Sequence, residues 1–228
     1  DAIHNREHNF AVLASHSSEI ADYPYAAKKS YVAITNMNNL LVGAEGVEYQ
    51  ELDGNVNICR FERAEREETG KQVISLWSVN EAQSMALDLG VTDVTYSDMY
   101  GNQKKLHSDS GIYNFVTSKS PIYVMGDFTG FEVTDSTISF SEISINAAAG
   151  DRKTITITNN TGKKLTPKIV AADNISPIIN DTLIDKSGSF ALSVPETIGV
   201  ETAIDVELYD GTDLVCNAQL PLYIMEKL

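Results

Sequence analysis

The sequence has few cysteines, few histidines and almost no tryptophan, and it lacks a long apolar run. Its 228 residues include two cysteines, four histidines and one tryptophan. Cys59 and Cys216 are far apart and fall in different predicted domains. We therefore expect two buried free thiols rather than a disulfide. No run of about 18 apolar residues occurs, which argues against a membrane-spanning helix. The polar start, Asp1–Glu7, is not a signal peptide and fits a mature form or a piece cut from a longer chain.

Basic side chains are also scarce. Seventeen lysines and arginines stand against 32 acidic residues, which gives a formal net charge of −15. Residues 1–128 carry 10 basic and 18 acidic side chains, and residues 129–228 carry 7 and 14. Nucleic-acid binding needs lysine and arginine to replace counterions along the phosphates, and anionic membrane surfaces attract the same side chains. The composition therefore predicts no nucleic-acid partner and no membrane insertion, and it leaves uncharged ligands such as sugars.

The common motifs of enzyme active sites are missing. The sequence contains no glycine-rich phosphate loop, H-E-x-x-H, C-x-x-C or G-x-S-x-G. His4, His8 and His16 lie near Asp1 and Glu7, and such groups can build a metal site. Their spacing would bring them to one face only in a helix, and this polar segment has no helical pattern. Glycosidases use a pair of carboxyl groups, but no acidic pair here sits in a recognisable motif. We predict no metal, no cofactor and no catalytic residue.

One segment has a clear helical pattern, Tyr25–Leu41. Pro24 stands at its entrance and Gly43 follows its end, which are the positions that these residues favour. Apolar residues recur at three- and four-residue steps along it: Ala27, Tyr31, Ile34, Met37 and Leu41. The pattern predicts a helix with one face that needs a partner. The remainder of the chain or a second copy in a homodimer would provide that partner.

The chain changes to a period of two after Gly46, which is typical of strands. Turn residues separate the segments, and a break near Gly126–Gly130 divides them into two series. Short antiparallel strands at this spacing predict a mainly β protein of two antiparallel β-sandwich domains, the second immunoglobulin-like, with one N-terminal α-helix. The run Glu62–Glu68 is expected to be a solvated hairpin end. The predicted strands are Asn57–Arg63, Gln72–Ser78, Gln83–Leu89, Val91–Asp98, Gly111–Thr117, Pro121–Met125, Ile138–Ile145, Thr154–Asn159, Leu165–Ala171, Gly188–Val194, Thr202–Tyr209 and Asp213–Leu220.

Aromatic residues are the remaining candidates for ligand binding. Trp77 is in phase with Val73 and Ser75 and opposite to Ile74 and Leu76. Burial in the core is favoured, because a single ring between apolar strands usually packs inward. The alternative is an exposed ring that stacks on a sugar. The same ambiguity applies to Tyr96, Tyr100, Tyr113 and Tyr123. The turns Asp53-Gly54 and Asp210-Gly211 could hold calcium, but hairpins need such turns anyway.

Several segments resemble the end of the (β/α)₈ barrel of clan A glycoside hydrolases and the sandwich that follows it. Arg6–Phe10 resembles an "E-H-x-F-G-L" loop, Pro24–Ala33 a helix of "K-P-A-Y-x-A" type, and Leu40–Ala44 its "L-L-x-G-A" end. Asp98–Asn102 looks like the "D-x-x-G" turn of the sandwich, and Ser120–Gly126 like its "P-x-Y-x-x-G" strand. The resemblance covers about residues 5–128.

The chain departs from this pattern where Ala11 replaces a glycine and Lys29-Ser30 replaces Pro-Ala. The resemblance implies that residues 1–46 are the end of a barrel, that 47–128 form its β-sandwich and that 129–228 are an appended immunoglobulin-like domain. It also implies that the catalytic acid and nucleophile lie upstream of Asp1. Glu7 and His8 would belong to the last barrel loop and border the sugar site.

The leading expectation is a non-catalytic accessory β-sandwich region of a secreted bacterial glycoside hydrolase, extracellular or at the cell surface. It would support the catalytic barrel, its expected partner, and contact carbohydrate through Glu7, His8 and Trp77. One alternative is a stand-alone carbohydrate- or surface-binding protein of two sandwiches. Another is an enzyme with a site between the domains, which would require a cleft with convergent carboxylates.

Overall fold

The protein is mainly β, and an α-helix lies near its N-terminus. The computed structural model describes residues 29–52, 55–64, 66, 69–171, 175–196 and 201–226. These residues form seventeen strands in three sheets and one helix. None of these segments makes an apolar helix of membrane-spanning length. The predicted mainly β, antiparallel sandwich class with one helix is confirmed, and the immunoglobulin-like character of the second domain stays a prediction.

The elements follow one another along the chain with short connections. They are α1 (Lys29–Leu41), β1 (Glu45–Leu52), β2 (Val56–Glu62), β3 (Gln72–Ser78), β4 (Gln83–Asp88), β5 (Asp93–Ser97), β6 (Gln103–His107), β7 (Ile112–Thr117), β8 (Ile122–Gly126), β9 (Glu132–Thr134), β10 (Ile138–Phe140), β11 (Ile145–Ala148), β12 (Arg152–Asn159), β13 (Thr166–Val170), β14 (Ser176–Ile179), β15 (Ser187–Ser193), β16 (Glu201–Asp210) and β17 (Asp213–Met225).

The strands form three sheets, and one of these sheets contains strands from both halves of the chain. The first sheet has the order β1-β2-β3-β8-β5-β6, and the third sheet has the order β10-β12-β15-β14. The sheet between them has the order β13-β16-β17-β7-β4-β9, and β11 also pairs with β17. We call it the shared sheet. Two of its pairings are parallel, β11 with β17 and β17 with β7. The shared sheet therefore contains strands from both predicted domains.

Two main apolar cores lie on opposite faces of the shared sheet. The first core fills the space between the first sheet and β4 and β7, and its buried side chains include Ile58, Ile74, Leu76, Leu87, Tyr96, Tyr113, Phe115 and Val124. The second core lies between the third sheet and β13, β16 and β17, and its buried side chains include Ile155, Ile157, Phe190, Ile204, Val206, Leu208, Leu220 and Leu222. Each face buries alternate residues of its strands, as a sandwich requires.

A bulge lets the β16–β17 hairpin serve both cores. The register of this hairpin shifts between Leu208 and Tyr209, so that Leu208 pairs with Cys216 and Tyr209 pairs with Leu214. Leu208 and Cys216 belong to the second core, whereas Leu214 and Tyr209 pack in the first. An extra residue in one strand reverses the faces that follow it. Tyr209 and Leu214, on the two sides of the hairpin tip, therefore pack in the first core, whereas the tip residues Gly211–Asp213 are exposed.

The predicted end of the helix is confirmed. The helix ends at Leu41, and Gly43 follows it with φ of 70°. The N–H of Ala44 donates to the carbonyl of Leu41 at 2.9 Å, which closes the last turn. A left-handed residue at this position favours glycine. The predicted first turn, Tyr25–Lys28, lies outside the described residues.

One predicted strand was wrong, and four strands were not among those predicted. The segment Ile138–Ile145 is two strands, because the chain leaves the third sheet after Phe140 and joins β17 of the shared sheet at Ile145. The strands β1, β6, β9 and β14 were missed, and β14 contains Pro177, which suits only an edge strand. The predicted boundary after residue 128 stays a prediction, and β9 beyond it still pairs with β4.

The cysteine prediction is confirmed in its main point, because both cysteines are free. Cys216 is buried, as expected, but Cys59 is only half-buried. Cys59 points to the outer face of the first sheet, away from the first core.

Candidate interaction face on the outer side of the first sheet

The outer side of the first sheet carries the helix. Alternation along β3 places Ile74 and Leu76 in the first core and leaves Val73, Ser75 and Trp77 on the outer side. Leu40, near the end of the helix, packs there with Val73, Tyr123 and Met125 in a small third cluster. The helix is thus held by its C-terminal turn, at one end of the sheet.

Arg63 fixes that end of the helix. Its Nη1 donates to the carbonyl of Leu40 at 2.7 Å, and its Nη2 donates to Oγ1 of Thr69 at 2.7 Å. The side chain is buried, and burial, followed by the nearby charge of Arg66, lowers its pKa. A cation suits the last carbonyls of a helix. The predicted hairpin end between β2 and β3 therefore exists, but Arg63 within it is not solvated.

A second contact fixes the middle of the helix to the β5–β6 turn. Nδ2 of Asn36 donates to the carbonyl of Asp98 at 3.1 Å. The Asp98 carboxylate accepts the N–H groups of Tyr100 and Asn102, both at 2.9 Å, and Gly101 has φ of 94°. The D-x-x-G sequence thus forms a closed turn that holds Asn36.

The helix exposes most of its apolar side chains despite these anchors. Tyr31, Ile34 and Met37 recur every three residues, are 42%, 45% and 39% exposed, and are called the helix stripe below. Leu40 is the one residue of the helix that is buried. The expectation that the sandwich or a second copy would cover this face is not met by the described residues of one chain, since they cover only its end.

A second group of side chains lies on the same side of the sheet. Tyr49 is 58% exposed, and its hydroxyl donates to Oδ1 of Asn57 at 2.6 Å. Asn57 is the cross-strand neighbour of Trp77, which is half-buried. We call Tyr49, Asn57 and Trp77 the aromatic platform. The favoured prediction that Trp77 is buried in the core was wrong, because Trp77 lies on the outer face.

The other candidate site residues are not brought to this face. Glu7, His8 and the histidines His4 and His16 lie outside the described residues, so their predicted roles stay predictions. Asp210, whose turn with Gly211 was considered as a calcium site, forms an ion pair with Lys163 at 2.7 Å. Within the described ranges, no three histidine, cysteine, aspartate or glutamate side chains are grouped as a metal site requires.

Charged pairs join the first sheet to the shared sheet, and sequence patterns gave no sign of them. Glu207 of β16 is 4% exposed, and its carboxylate contacts Nζ of Lys104 at 2.8 Å and Nζ of Lys168 at 2.9 Å. The Tyr209 hydroxyl donates to it at 2.7 Å. Burial alone would raise the pKa of Glu207, but these three donors outweigh burial and lower the pKa to about 2.

A histidine lies in a second, more exposed contact between the two halves of the chain. Nδ1 of His107 is 2.9 Å from Asp93, and its Nε2 is 3.1 Å from Asp109. Asp109 also contacts Lys163, at 2.6 Å, from the loop before β13. Hydrogen bonds to Asp93 and then to Asp109 raise the pKa of His107. These contacts join the two sandwiches.

Comparison with known proteins gives little further information. No protein-family model and no curated protein sequence matches this chain. Among solved structures, the chain is similar to the S-layer protein SbsC domains 4 and 5 with 11% sequence identity. The match covers 80% of this chain and 96% of that one, with a TM-score of 0.29. At this TM-score the likeness does not bear on function.

Proposed function

We propose that this chain is a non-catalytic accessory β-sandwich region of a secreted glycoside hydrolase, and that it supports the catalytic (β/α)₈ barrel through the helix stripe. The protein would act outside the cell or at the cell surface. The resemblance of residues 5–128 to the end of such a barrel and its sandwich motivates the proposal. The structure is compatible with it, because Asn36 joins the helix to the D-x-x-G turn of the sandwich.

The observation that carries the proposal is a fixed but uncovered apolar surface. Arg63, Asn36 and Leu40 hold the helix against the sheet, so its orientation is set by the sandwich. The stripe of Tyr31, Ile34 and Met37 is nevertheless exposed, and no other part of the described chain covers it. Rigidly presented apolar side chains of this kind mark interaction surfaces. A barrel would cover them with the neighbouring helices that a terminal barrel helix normally contacts.

The test is to add this chain to a clan A glycosidase barrel that has been produced without its own sandwich. We expect the chain to raise the melting temperature of the barrel, because binding to the folded state stabilises it. Ile34→Asp should remove the effect, since it places a charge in the apolar interface. Leu183→Asp is the matched control, because Leu183 is a 52% exposed apolar residue in the second half of the chain.

Two results would contradict the proposal as a whole, and a third would exclude its interface. One is sedimentation of the chain as a dimer that Ile34→Asp dissociates, which would assign the stripe to a second copy. The other is hydrolysis of chromogenic glycosides by the purified chain that is lost on substitution of one carboxylate. Equal effects of Ile34→Asp and Leu183→Asp on the barrel would also exclude the stripe as the interface.

A second candidate function, carbohydrate binding by a stand-alone protein, is favoured by the aromatic platform. Tyr49 and Trp77 lie on either side of the Asn57 amide on the outer face of the first sheet, and sugar C–H groups stack on such rings. Trp77 is the single tryptophan, so its fluorescence reports directly on this face. Saturable change of that emission by a neutral oligosaccharide, abolished in Tyr49→Ala, would favour this function over barrel support.

A further inference from the structure

His107 stands in a row of charged side chains between the two halves of the chain. Its Nδ1 is 2.9 Å from Oδ1 of Asp93 in β5, and its Nε2 is 3.1 Å from Oδ1 of Asp109 in the β6–β7 turn. Oδ2 of Asp109 contacts Nζ of Lys163 at 2.6 Å, in the loop before β13. We call the side chains of Asp93, His107, Asp109 and Lys163 the clasp. The clasp links the first sheet to the loop before β13.

The two carboxylates beside His107 fix the protonation state that the clasp needs. An ionised carboxylate only accepts hydrogen bonds, and a neutral imidazole has a single N–H. The imidazolium form therefore serves Asp93 and Asp109 together. A neutral ring must turn a lone pair towards one of them. Loss of the ring proton thus replaces an attraction by a repulsion at one carboxylate.

Asp109 is the carboxylate that a neutral ring releases. Asp93 is the closer of the two, and its other oxygen accepts the Thr92 hydroxyl at 3.0 Å, so it is held beside Nδ1. The remaining ring proton therefore stays on Nδ1, and Nε2 turns its lone pair to Asp109. Asp109 then keeps Lys163 as its cation but loses its link to β6.

The charged groups around the ring come from several elements. The hydrogen bonds of the two clasp carboxylates raise the pKa of His107, and the charge of Asp213 at the start of β17 adds to them. The hydrogen bond from His107 lowers the pKa of Asp93, and the charge of Lys105, two positions earlier on β6, adds to it. These shifts place the change of charge at His107 above pH 6.5 and keep Asp93 ionised there.

The other end of the clasp stays charged in the same range. Hydrogen bonds from Lys163 and then from His107 lower the pKa of Asp109. Hydrogen bonds to Asp109 and then to Asp210 raise the pKa of Lys163. His107 is therefore the member of the clasp whose charge changes near neutral pH.

The clasp crosses a pocket of about 290 Å³. The β6–β7 turn and the loop before β13 both line this pocket, through Asp109 and Lys163 among others, and its apolar lining includes Ile138 and Leu165. Because the pocket lies between these two segments, the contact of Asp109 with Lys163 limits how far they separate. A change at His107 is thus passed to the width of the pocket.

We propose that the clasp is a pH-operated latch between the two halves of the chain. Protonated His107 holds Asp109 beside β6 and so ties Lys163 to the first sheet. Neutral His107 releases Asp109, and the pocket widens. The latch is closed at acidic pH and opens as the pH rises through the titration of His107. This inference goes beyond the proposed support of a barrel and uses none of the residues of the helix stripe.

The test is NMR titration of the whole chain from about pH 5 to 9, the range in which histidine changes charge. The ring signals of His107 and the backbone amides of Asp109 and Lys163 are followed together. We expect both amides to shift with the midpoint of His107. In His107→Gln this inflection should vanish, which separates it from the titration of other histidines. In Asp109→Asn the ring should still titrate, at a lower pH, but the Lys163 amide should no longer follow it.

Asp210→Asn is the matched control. It removes the other carboxylate from Lys163, whose Nζ lies 2.7 Å from Asp210, and leaves Asp109 in contact with His107. The Lys163 amide should therefore continue to follow the titration of the ring in this variant.

Opening of the pocket is measured by hydrogen exchange of the Asn160 amide. This N–H donates to the carbonyl of Thr137 at 2.7 Å, and both residues line the pocket. At about pH 5.5, exchange should be about two- to fivefold faster in His107→Gln than in the wild type, the size of effect that exposed ion pairs have. At about pH 8.5, where the wild-type ring is neutral as well, the two proteins should exchange alike.

Several outcomes would overturn the inference. A Lys163 amide that does not shift across the midpoint of His107 would remove the link, and so would an inflection that persists in His107→Gln. If Asp109→Asn and Asp210→Asn have equal effects, the coupling is one of overall charge. Equal exchange of Asn160 in the wild type and His107→Gln at about pH 5.5 would exclude the opening of the pocket.

Discussion

The buried carboxylate of Glu207 provides the sharpest test of how the two halves of the protein are held together. Its pKa is about 2 in the folded protein and 4.5 ordinarily. The difference corresponds to about 3 kcal/mol of folding free energy, at about 1.4 kcal/mol per pH unit. Since folding lowers this pKa, the stabilisation is present above about pH 4.5 and is lost as the pH falls towards 2.

Glu207→Gln removes the charge and keeps the shape of the side chain. We expect the variant to lose about 3 kcal/mol of stability at neutral pH, because Lys104 then keeps a charge that is only 27% exposed and has no anionic partner there. Glu142→Gln is the matched control. It breaks the Lys153 pair, in which both side chains are about one third exposed, and should cost less than about 1 kcal/mol.

The assay is urea unfolding at several pH values, followed by Trp77 fluorescence and by far-ultraviolet circular dichroism. Trp77 lies in the first sheet, whereas circular dichroism reports all three sheets. The difference in stability between the wild type and Glu207→Gln should shrink as the pH falls from about 5 to 2. If Glu207→Gln loses less than about 1 kcal/mol of stability at neutral pH, the role given to Glu207 between the first sheet and the shared sheet is refuted. A difference between the two proteins that stays constant down to about pH 2 would refute it as well.

Three further predictions concern single residues. Gly70→Ala should destabilise the fold by about 2–4 kcal/mol in urea unfolding, because φ is 67° and a Cβ would lie 2.5 Å from the carbonyl carbon of Gly126. Gly162→Ala, with φ of 77° and nothing within 4 Å, should cost only about 1 kcal/mol, and equal losses would contradict the packing argument. In thiol titration of the folded protein, Cys216 should stay unreactive, because burial raises its pKa to about 12, and the half-buried Cys59 should react first. The imidazole of His107 should titrate above pH 6.5 by NMR, because its contacts raise its pKa. Its contribution to stability is therefore present below pH 6.5 and is lost as the pH rises through the folded pKa. A titration midpoint at or below pH 6.5 would contradict these contacts.

Local patterns predicted the individual strands better than their arrangement. The segment Gln72–Ser78 was predicted with its true bounds, because alternating apolar residues and flanking turns mark a strand. The shared sheet was not predictable in this way, since the β17–β7 pairing joins residues about a hundred positions apart. The strand Ile138–Ile145 failed for a related reason. Its apolar residues serve two different sheets, and periodicity alone does not show a change of sheet.

The candidate surfaces were predictable only in part. The spacing of Tyr31, Ile34 and Met37 predicted an apolar face that needs a partner, and the exposure of that face agrees. The phase of Trp77 with Val73 and Ser75 was correct, but which face of β3 packs inward depends on the neighbouring strands.

The position of β17 also fixes when the two sandwiches can complete their cores during synthesis. β17 completes the second core, and Leu214, near its start, packs in the first core. Translation at about 5 to 20 residues per second separates the emergence of Gly126 from that of Met225 by roughly 5 to 20 s. During that interval the first sandwich has all the strands of its own sheet but an unfilled core. We therefore expect substitutions of Leu214 to lower the yield of soluble protein during synthesis before they change the properties of molecules that have already folded.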